Sequence, residues 1–433
     1  MNRNKINIFW FRRDLRLHDN AGLYQALKAG NVLPVFIFDS LILEDLNNRK
    51  DARVTFLHRT ISDLKRELEE HGASLLVEIG EPTQLIDKIS NNYDVGGVYV
   101  NSDYEPYARQ RDKKVKDLLQ KKDIGFYSFK DQVIFEKSEV LKDDGEPYVV
   151  FTPYKNKWLD KLSEKDLKTF NSDDFRKAYH TTKSFKMPGL KEIGFEKNDI
   201  EFPSKEPDIK LLRDYDKLRD FPFENASSRL GMHFRFGTVS IRQWTAKAKR
   251  INETFLGELI WREFFMMILW HHPRTLDQSF KKKYDNIQWR NDENEFKSWC
   301  DGKTGYPMVD AGMRQLNQSG FMHNRLRMVT GSFLVKHLLI DWRWGEAYFA
   351  EKLLDYELSS NVGNWQWVAG SGCDAAPYFR IFNPQSQMKK YDPEEKFIQQ
   401  WIPEYGSPDY PEPVVEHKSA RERALKAYKK AVK

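Results

Sequence analysis

The sequence predicts two architectures in one chain: an N-terminal α/β domain with a doubly wound parallel sheet, and a C-terminal all-α domain. Three observations carry this. Over residues 1–130, short β-branched or aromatic runs alternate with amphipathic stretches of helical period, as βαβ units require. From 131 to 208 the periodicity loosens, and Lys183–Asp208 is rich in Lys, Pro and Glu, as in a linker crossing a surface. After Pro207 the periodic stretches are helical throughout. The expected division is a first domain at 1–130, a linker at 131–208 and a helical domain at 209–433.

Taken in order, strands are expected at Ile6–Trp10, Val32–Phe38, Ser74–Glu78, Val98–Val100 and Gly125–Phe129. Helices are expected between them at Ala21–Ala29, Arg53–Glu70, Thr83–Asn91 and Tyr107–Lys121, with Asp19 or Asn20 capping the first. No G-x-G-x-x-G follows the first strand, which excludes the dinucleotide fingerprint. Asp143-Asp-Gly-Glu-Pro reads as a turn. The helical half offers Ile209–Asp220, Val239–Lys249, Thr254–His271, Pro307–Gln318, Phe321–Leu339 and Trp344–Leu354, then a basic helical tail at Arg421–Lys433. Pro307 suits a first helical turn, and Gly320 suits the position just past a helix end. The stretch Asn361–Gln387 holds no sustained period. Gly363, Gly370 and Gly372 punctuate it, Pro377 and Pro384 break it, yet it is rich in Trp, Tyr and Phe. It is expected to be a long loop, either a plug between helices or a cover over a flat aromatic ligand.

Composition narrows the classes. A mean hydropathy of −0.71 with 31% charged residues suits a soluble chain. The most apolar run, Phe264–Trp270, is far too short to cross a bilayer. The first residues run straight into a strand pattern without a signal-peptide layout, and a cytoplasmic location is expected. Cys300 and Cys373 are the only cysteines, expected as reduced thiols and too few for a structural zinc site. A net charge of +6 is compatible with a nucleic-acid partner without demanding one. Lys281–Lys283 reads as a solvated run.

Several segments resemble one family in the same order along the chain. Phe11-Arg-Arg-Asp-Leu-Arg-Leu-His-Asp-Asn20, Gly305–Arg314, Met322-His-Asn-Arg-Leu-Arg-Met328, Asn361-Val-Gly-Asn-Trp-Gln-Trp367 and Asp374-Ala-Ala-Pro-Tyr-Phe-Arg-Ile-Phe-Asn383 resemble the photolyase/cryptochrome family. The branch most similar is the class I cyclobutane pyrimidine dimer photolyases. The resemblance spans essentially the whole chain. It implies fully reduced FAD as cofactor, DNA carrying pyrimidine dimers as substrate, no membrane and no obligate protein partner, with a monomer expected. It also implies a possible antenna chromophore in the first domain. Arg53 and Asp103 are the candidate contacts there; for Arg53 a surface place at a helix start is the stronger reading. Tyr107-Ala108 stands where the folate pattern carries Asn-Glu, so deazaflavin or flavin is expected rather than folate.

The resemblance assigns residues in three groups. The flavin cradle takes Tyr215, the run Ser227-Ser228-Arg229-Leu230-Gly231, Phe255 and Arg262. It is completed by Asn324, Arg327, Asp355, Glu357 and Asn361. Hydroxyls and backbone N–H groups at such a turn suit a diphosphate, although composition alone makes Ser227 a plain helix cap. Arg327 with Asp355 is expected as a buried ion pair. Glu357 replaces the family's usual Asp, and Tyr356 its usual Gly. Asn361 matches the position facing flavin N5, where a neutral amide can donate or accept. The electron path takes Trp365, Trp342 and Trp289, although packing is the ordinary reason for any one buried Trp. The lesion face takes Glu258, Trp261, Asn324, Met328 and Trp367, with Arg219, Arg325, Arg380 and Gln387 as DNA contacts. Glu258, Trp261 and Arg262 stand at i, i+3 and i+4, which puts them on one helix face whether they serve a ligand or an ordinary ion pair. Burial is expected to raise the Glu258 pKa. The alternatives are a cryptochrome photoreceptor that signals through partners and a 6-4 photoproduct photolyase. Asn361, the intact lesion face and the short C-terminal extension speak against the first. Asn324 and Arg325, standing where the second would be expected to place histidines, speak against it; one His, as at His323, is shared with the dimer-repair pattern.

Overall fold

The structure, a computed structural model, describes residues 5–433. The chain forms two compact units. The first draws on the chain up to Glu136, on Lys161–Lys205 and on Leu230–Lys247; the second on Lys137–Asp160, Glu206–Arg229 and Ala248–Lys433.

In the first unit five strands, β1 (Ile6–Phe11), β2 (Val32–Asp39), β3 (Leu76–Gly80), β4 (Val95–Asn101) and β5 (Gly125–Phe129), form one sheet in the order β3-β2-β1-β4-β5, with every pair parallel. Successive side chains point to opposite faces, so Phe9 and Phe11 enter one core while Ile8 and Trp10 enter the other. Helices α1 (Ala21–Ala29) and α2 (Ala52–Glu69) cover the first face through Leu23, Leu27, Ile61 and Leu64. Helices α3 (Pro82–Asn92) and α4 (Pro106–Gln120) cover the other through Ile86, Ile89, Val115 and Leu119. This is the doubly wound arrangement expected. Asn20 is the cap of α1, accepting from Leu23 N at 3.1 Å. Asp19 has φ of 50° and serves otherwise: it receives Arg242 and Ser240. Arg242 also binds Asp131 at 2.8 Å, and these three side chains are 5% exposed or less. The strand order reverses beside β1, which has β2 on one side and β4 on the other. Ligands bind at the carboxyl end of such a switch point.

The second unit is helical. Its first helix, α5 (Phe151–Lys161), lies where the sequence shows no usable period. It is followed by α6 (Glu253–His271), α7 (Pro307–Ser319), α8 (Asn324–Ser332), α9 (Trp342–Lys352), α10 (Leu358–Ala369), α11 (Pro384–Tyr391) and α12 (His417–Val432). Gly320 ends α7 with φ of 65°, as expected.

Three expected elements differ. Asn361–Gln387 is not one loop: its first nine residues lie in α10, which Gly370 closes with φ of 85° and an N–H shared between Gln366 O and Trp367 O. The helix hides its period because it is buried on several sides, through Ser359, Asn361, Val362, Trp365, Gln366 and Ala369. Gly363 sits inside it because a Cβ there would lie 2.2 Å from the Phe265 ring of α6. The expected helix Phe321–Leu339 starts only at Asn324, where His323 caps it, and widens into a π turn over Phe333–Leu338. The expected helix Ile209–Asp220 is two short pieces, Ile209–Arg213 and Tyr215–Leu218, broken at Asp214.

Candidate functional site

Two regions gather the expected residues. At the carboxyl edge of the sheet, Asp103 follows β4 and meets Arg13 at 3.3 Å; Arg13 also binds Glu105 at 2.8 Å. Burial works against ionisation of Asp103, but the guanidinium groups of Arg13, Arg111 and Arg12 outweigh it and hold the carboxyl down at about 2. Arg53 folds back on Asp51, the cap of α2, at 3.0 Å, so its structural role is the one displayed. Tyr107 donates to Asp39 at 2.6 Å, and burial, with the Asp39 carboxylate, pushes the Tyr107 hydroxyl up. The Arg111 guanidinium lies 5.0 Å from the Trp10 ring and 5.8 Å from the Tyr107 ring. The edge is thus lined by rings and by paired arginines.

The second region lies in the helical unit. Asn252 caps α6 by accepting from Thr254 N and Phe255 N. That start sets Phe255, Glu258, Trp261 and Arg262 in register. Phe255 is buried and packs edge-on to Tyr215 at 5.5 Å. Glu258 is ion-paired with Arg219, whose guanidinium also sits 5.3 Å from the Tyr215 ring. Burial raises the Glu258 pKa, as expected, while Arg219 opposes the rise. Trp261 is stacked on Phe151, with centroids 3.6 Å apart and planes 9° apart, and on Phe265 at 5.4 Å. Phe151 heads α5, and its N–H donates to Asp374 at 3.1 Å. Phe151 lies 110 residues from Trp261 and belongs to a segment given no chemistry from sequence.

The remaining residues expected in the cradle come from α8 and α10, from the turns before them and from the loop before Gly231. Asn324 is exposed at the head of α8, with its amide 3.8 Å from the Met328 sulfur. Arg327 binds Asp355 through two contacts, at 2.9 and 3.1 Å, and Met322 O at 2.8 Å. The pair is about a quarter exposed rather than buried, at 28% and 23%. Asn361 is 8% exposed, and its amide nitrogen donates to Glu346 Oε1 at 2.8 Å and to Glu346 O at 3.1 Å. With that amide orientation, its carbonyl oxygen faces away from Glu346. Glu357 caps α10, accepting from Ser360 N at 3.1 Å. Its longer side chain is used within the helix end. Ser227 to Leu230 form an irregular loop in which Arg229 N donates to Ser227 Oγ at 3.3 Å, so Ser227 is not a helix cap. Arg229 has φ of 51° and stacks over Phe321 at 4.5 Å. Gly231 begins the short helix Gly231–Phe236.

The three expected tryptophans share the helical core. Trp365 and Trp342 are buried in it and Trp289 is packed against it, partly exposed. A Cβ at Gly345 would lie 2.1 Å from Trp365, so that glycine makes room for the ring. Trp365 meets Phe349 edge-on at 4.9 Å and Trp299 at 6.1 Å. Trp299, fully buried, was not singled out from sequence, and nothing but its residue type could have marked it. Trp367 is partly buried two residues along from Trp365. Of the DNA-contact candidates, Arg380 is exposed, with its guanidinium 5.8 Å from the Phe382 ring. Gln387 on α11 has a buried Oε1 with no hydrogen-bond partner. Arg325 turns inward, ion-paired with Asp220 at 2.7 Å and 4.1 Å from the Tyr391 ring, so it is engaged inside the protein. Cys300 and Cys373 are buried free thiols that burial pushes up to about 12. Among the described residues no cluster of potential metal ligands occurs, and no helix is long and apolar enough to cross a membrane.

This donor set fits a flavin dinucleotide. Two serine hydroxyls and an arginine in a loop can meet phosphate, and an amide carbonyl can meet a ring edge. Fold and site together define a flavoprotein with a sheet unit and a helical unit. Residues 255–407 match the FAD binding domain of DNA photolyase, and residues 7–172 match the DNA photolyase domain. A deoxyribodipyrimidine photo-lyase of Alkalihalophilus pseudofirmus is 36% identical over 99% of this chain and 98% of its own. A bacterial class III photolyase from Agrobacterium tumefaciens superposes with a TM-score of 0.87 at 33% identity, covering 100% of this chain and 98% of the other. An archaeal photolyase from Sulfolobus tokodaii with two FAD molecules gives 0.83 at 34% identity, over 98% of this chain and 100% of the other. The chain belongs to the photolyase/cryptochrome family and carries its FAD-binding domain.

Proposed function

We propose that the chain repairs cyclobutane pyrimidine dimers in DNA under blue light, as a deoxyribodipyrimidine photo-lyase with fully reduced FAD. The observation that carries this is the exposed side of α6. There a ring with one face backed by Phe151 stands beside a carboxyl whose pKa burial has raised. Trp261, fixed from behind, and Trp367 offer stacking surfaces to two extruded pyrimidines, each stack worth about 1–3 kcal/mol. A damaged, poorly stacked dinucleotide flips out of the duplex at the lowest cost, which is one source of selectivity.

Arg219 gives Glu258 two states. In the protein alone, the pair keeps both charges satisfied. When Arg219 turns to a DNA phosphate, the carboxylate is left desolvated, takes up a proton and donates to the base carbonyls. Met328 adds a polarizable contact. Arg380 and Gln387 take the flanking strand. FAD, when bound and reduced, supplies the light-excited electron that opens the cyclobutane ring and recovers it afterwards. Glu346 holds the Asn361 amide nitrogen, which leaves the carbonyl oxygen to accept from the protonated ring edge of that cofactor. Trp365, Trp342 and Trp289 carry electrons inward when the cofactor has to be reduced.

The chain would act on DNA as a cytoplasmic monomer. The sheet unit would hold a second chromophore at its carboxyl edge, flavin or deazaflavin in preference to folate. A 6-4 photolyase would use histidine as a proton donor here. His323 instead caps α8, and burial lowers its pKa to about 4, which keeps the ring neutral. The test is light-driven repair by pre-reduced protein of two oligonucleotides, one with a thymine dimer and one with a 6-4 photoproduct. Recovery of base absorbance for the dimer alone is expected. Repair of neither, with flavin bound and reducible, would move the reading to a cryptochrome photoreceptor.

A further inference from the structure

We infer that Asp374 is a positioning residue: it ties Trp261 to the end of the helix that carries Trp367, and so sets the discrimination between a pyrimidine dimer and undamaged DNA. The inference rests on the reading of these two rings as the stacking surfaces of the lesion face.

The first observation is a helix start capped from afar. Val150 stands before α5, and its carbonyl accepts from Tyr154 N at 3.4 Å. This is the capping position, where a side-chain oxygen ordinarily takes up one of the N–H groups that a helix start leaves without partners. A valine has no oxygen to offer. The carboxylate of Asp374, 223 residues along the chain, accepts from Phe151 N instead, at 3.1 Å. It also sets a negative charge at the positive end of α5. The head of α5 is what backs Trp261, because the Phe151 ring lies flush on it at 3.6 Å with planes 9° apart. One turn on, Tyr154 packs on Phe264 at 5.2 Å, and Trp158 donates to Glu263 at 2.5 Å. Helix α5 therefore rests on α6 through Phe151, Tyr154 and Trp158, and a shift of its first turn is a shift of the wall behind Trp261.

The second observation is independent, and it concerns the other ring. Asp374 has φ of 48°, a conformation that is uncommon outside glycine and persists where the surroundings fix it. Those surroundings begin at the end of α10, just past Trp367. Ser371 N and Gly372 N both donate to Gln366 O at 3.0 Å, and Ser371 O accepts from Lys281 N at 2.8 Å. The Gln366 side chain is held in turn by Phe280 N at 2.8 Å and by Thr275 O at 2.7 Å. Ser371, Gly372 and Cys373 are buried. A run of fixed contacts thus leads from Trp367 through the turn after α10 to Asp374, then to Phe151 and Trp261. The two bases of a dimer are covalently held at one separation, so a pair of walls fixed in advance favours them. Undamaged DNA is held chiefly by contacts to phosphate, which do not depend on the walls.

The experiment measures binding in the dark by the flavin-loaded full chain to two oligonucleotides of one sequence, one with a thymine dimer and one undamaged. Asp374→Ala should weaken dimer binding about tenfold, the worth of about one base stack, and leave undamaged DNA within about twofold. Asp374→Asn keeps an oxygen that can accept from Phe151 N and should restore most of the preference for the dimer. Phe151→Leu removes the flat ring and keeps the capping contact, and it should match Asp374→Ala. The double variant should bind the dimer no more weakly than either single one, since both changes cut the same run of contacts. Phe151→Leu and Asp374→Asn carry the test if Asp374→Ala folds poorly. A dimer preference unchanged in Asp374→Ala and in Phe151→Leu would overturn the inference and leave Asp374 as a helix cap, seen only in a lower melting temperature. Losses that multiply in the double variant would overturn it too, because the two residues would then act separately. An unmodified chain that binds both oligonucleotides alike would overturn the reading of the lesion face, and the inference with it.

Discussion

Arginine serves opposite ends in the two units. In the sheet unit, Arg242 is shut in with Asp19 and Asp131, all 5% exposed or less, and Arg16 completes the group by binding Asp131 at 2.7 Å. Its partners come from loops far apart in sequence, so the cluster locks chain segments together. In the helical unit, Arg219–Glu258 and Arg327–Asp355 are one-quarter to one-third exposed. Each of these pairs lies where a ligand could take one partner over. A buried pair holds a fold in one state, because breaking it strands a charge. A half-exposed pair contributes little stability and can be exchanged for a ligand at little cost.

The comparison breaks most visibly at Arg242. Arg242→Met strands Asp19 and leaves Asp131 with Arg16 alone, and should cost about 4 kcal/mol, read as a shift in the urea midpoint. A loss under 1 kcal/mol would mean that the cluster is not the lock. Next comes His323, buried at the head of α8. Its folded pKa of about 4 lies below the ordinary 6.5, because burial disfavours the imidazolium. The stability it supports is fully present above pH 6.5 and is lost as pH falls towards 4, to about 3 kcal/mol. Unfolding at pH 7 and pH 4.5 should show that loss, and His323→Asn should flatten it. Equal pH dependence in both proteins would remove His323 as the cause. The smallest effect is expected at Asp355. Asp355→Ala leaves a partly solvated Arg327 and should cost about 1 kcal/mol in fold stability. It should nevertheless lower bound flavin, measured by absorbance after purification. Full flavin occupancy would show that the pair is structural only.

The strands were legible in the sequence because those at the centre of the sheet are buried on both faces, which leaves short continuous apolar runs bounded by turn residues. The caps were legible where the chemistry is local, as at Asn20 and Gly320. The helix Leu358–Ala369 was not, because burial on several sides erases the apolar stripe. Its glycine is there to admit a ring from another helix, and a pattern reader takes such a glycine for a loop. The proposed lesion face was half legible. The spacing of Glu258, Trp261 and Arg262 is a local fact, whereas Phe151 behind Trp261 and Arg219 on Glu258 are tertiary facts. Glu357 shows the limit of matching by position: its added methylene goes into capping α10, which the residue type alone does not reveal.

On the proposed function, the helical unit separates two tasks, dimer splitting on the α6 face and electron supply along the tryptophans. The yield of dimer splitting by pre-reduced protein, measured side by side in Glu258→Ala and Trp365→Phe, tests it most directly. Both variants should keep their flavin. Glu258→Ala should lose about tenfold in yield, the loss expected when one hydrogen bond to the substrate is removed. Trp365→Phe should split dimers as the unmodified protein does and fail only when it starts from oxidised flavin. An undiminished yield in Glu258→Ala, or a collapsed yield in pre-reduced Trp365→Phe, would contradict that separation.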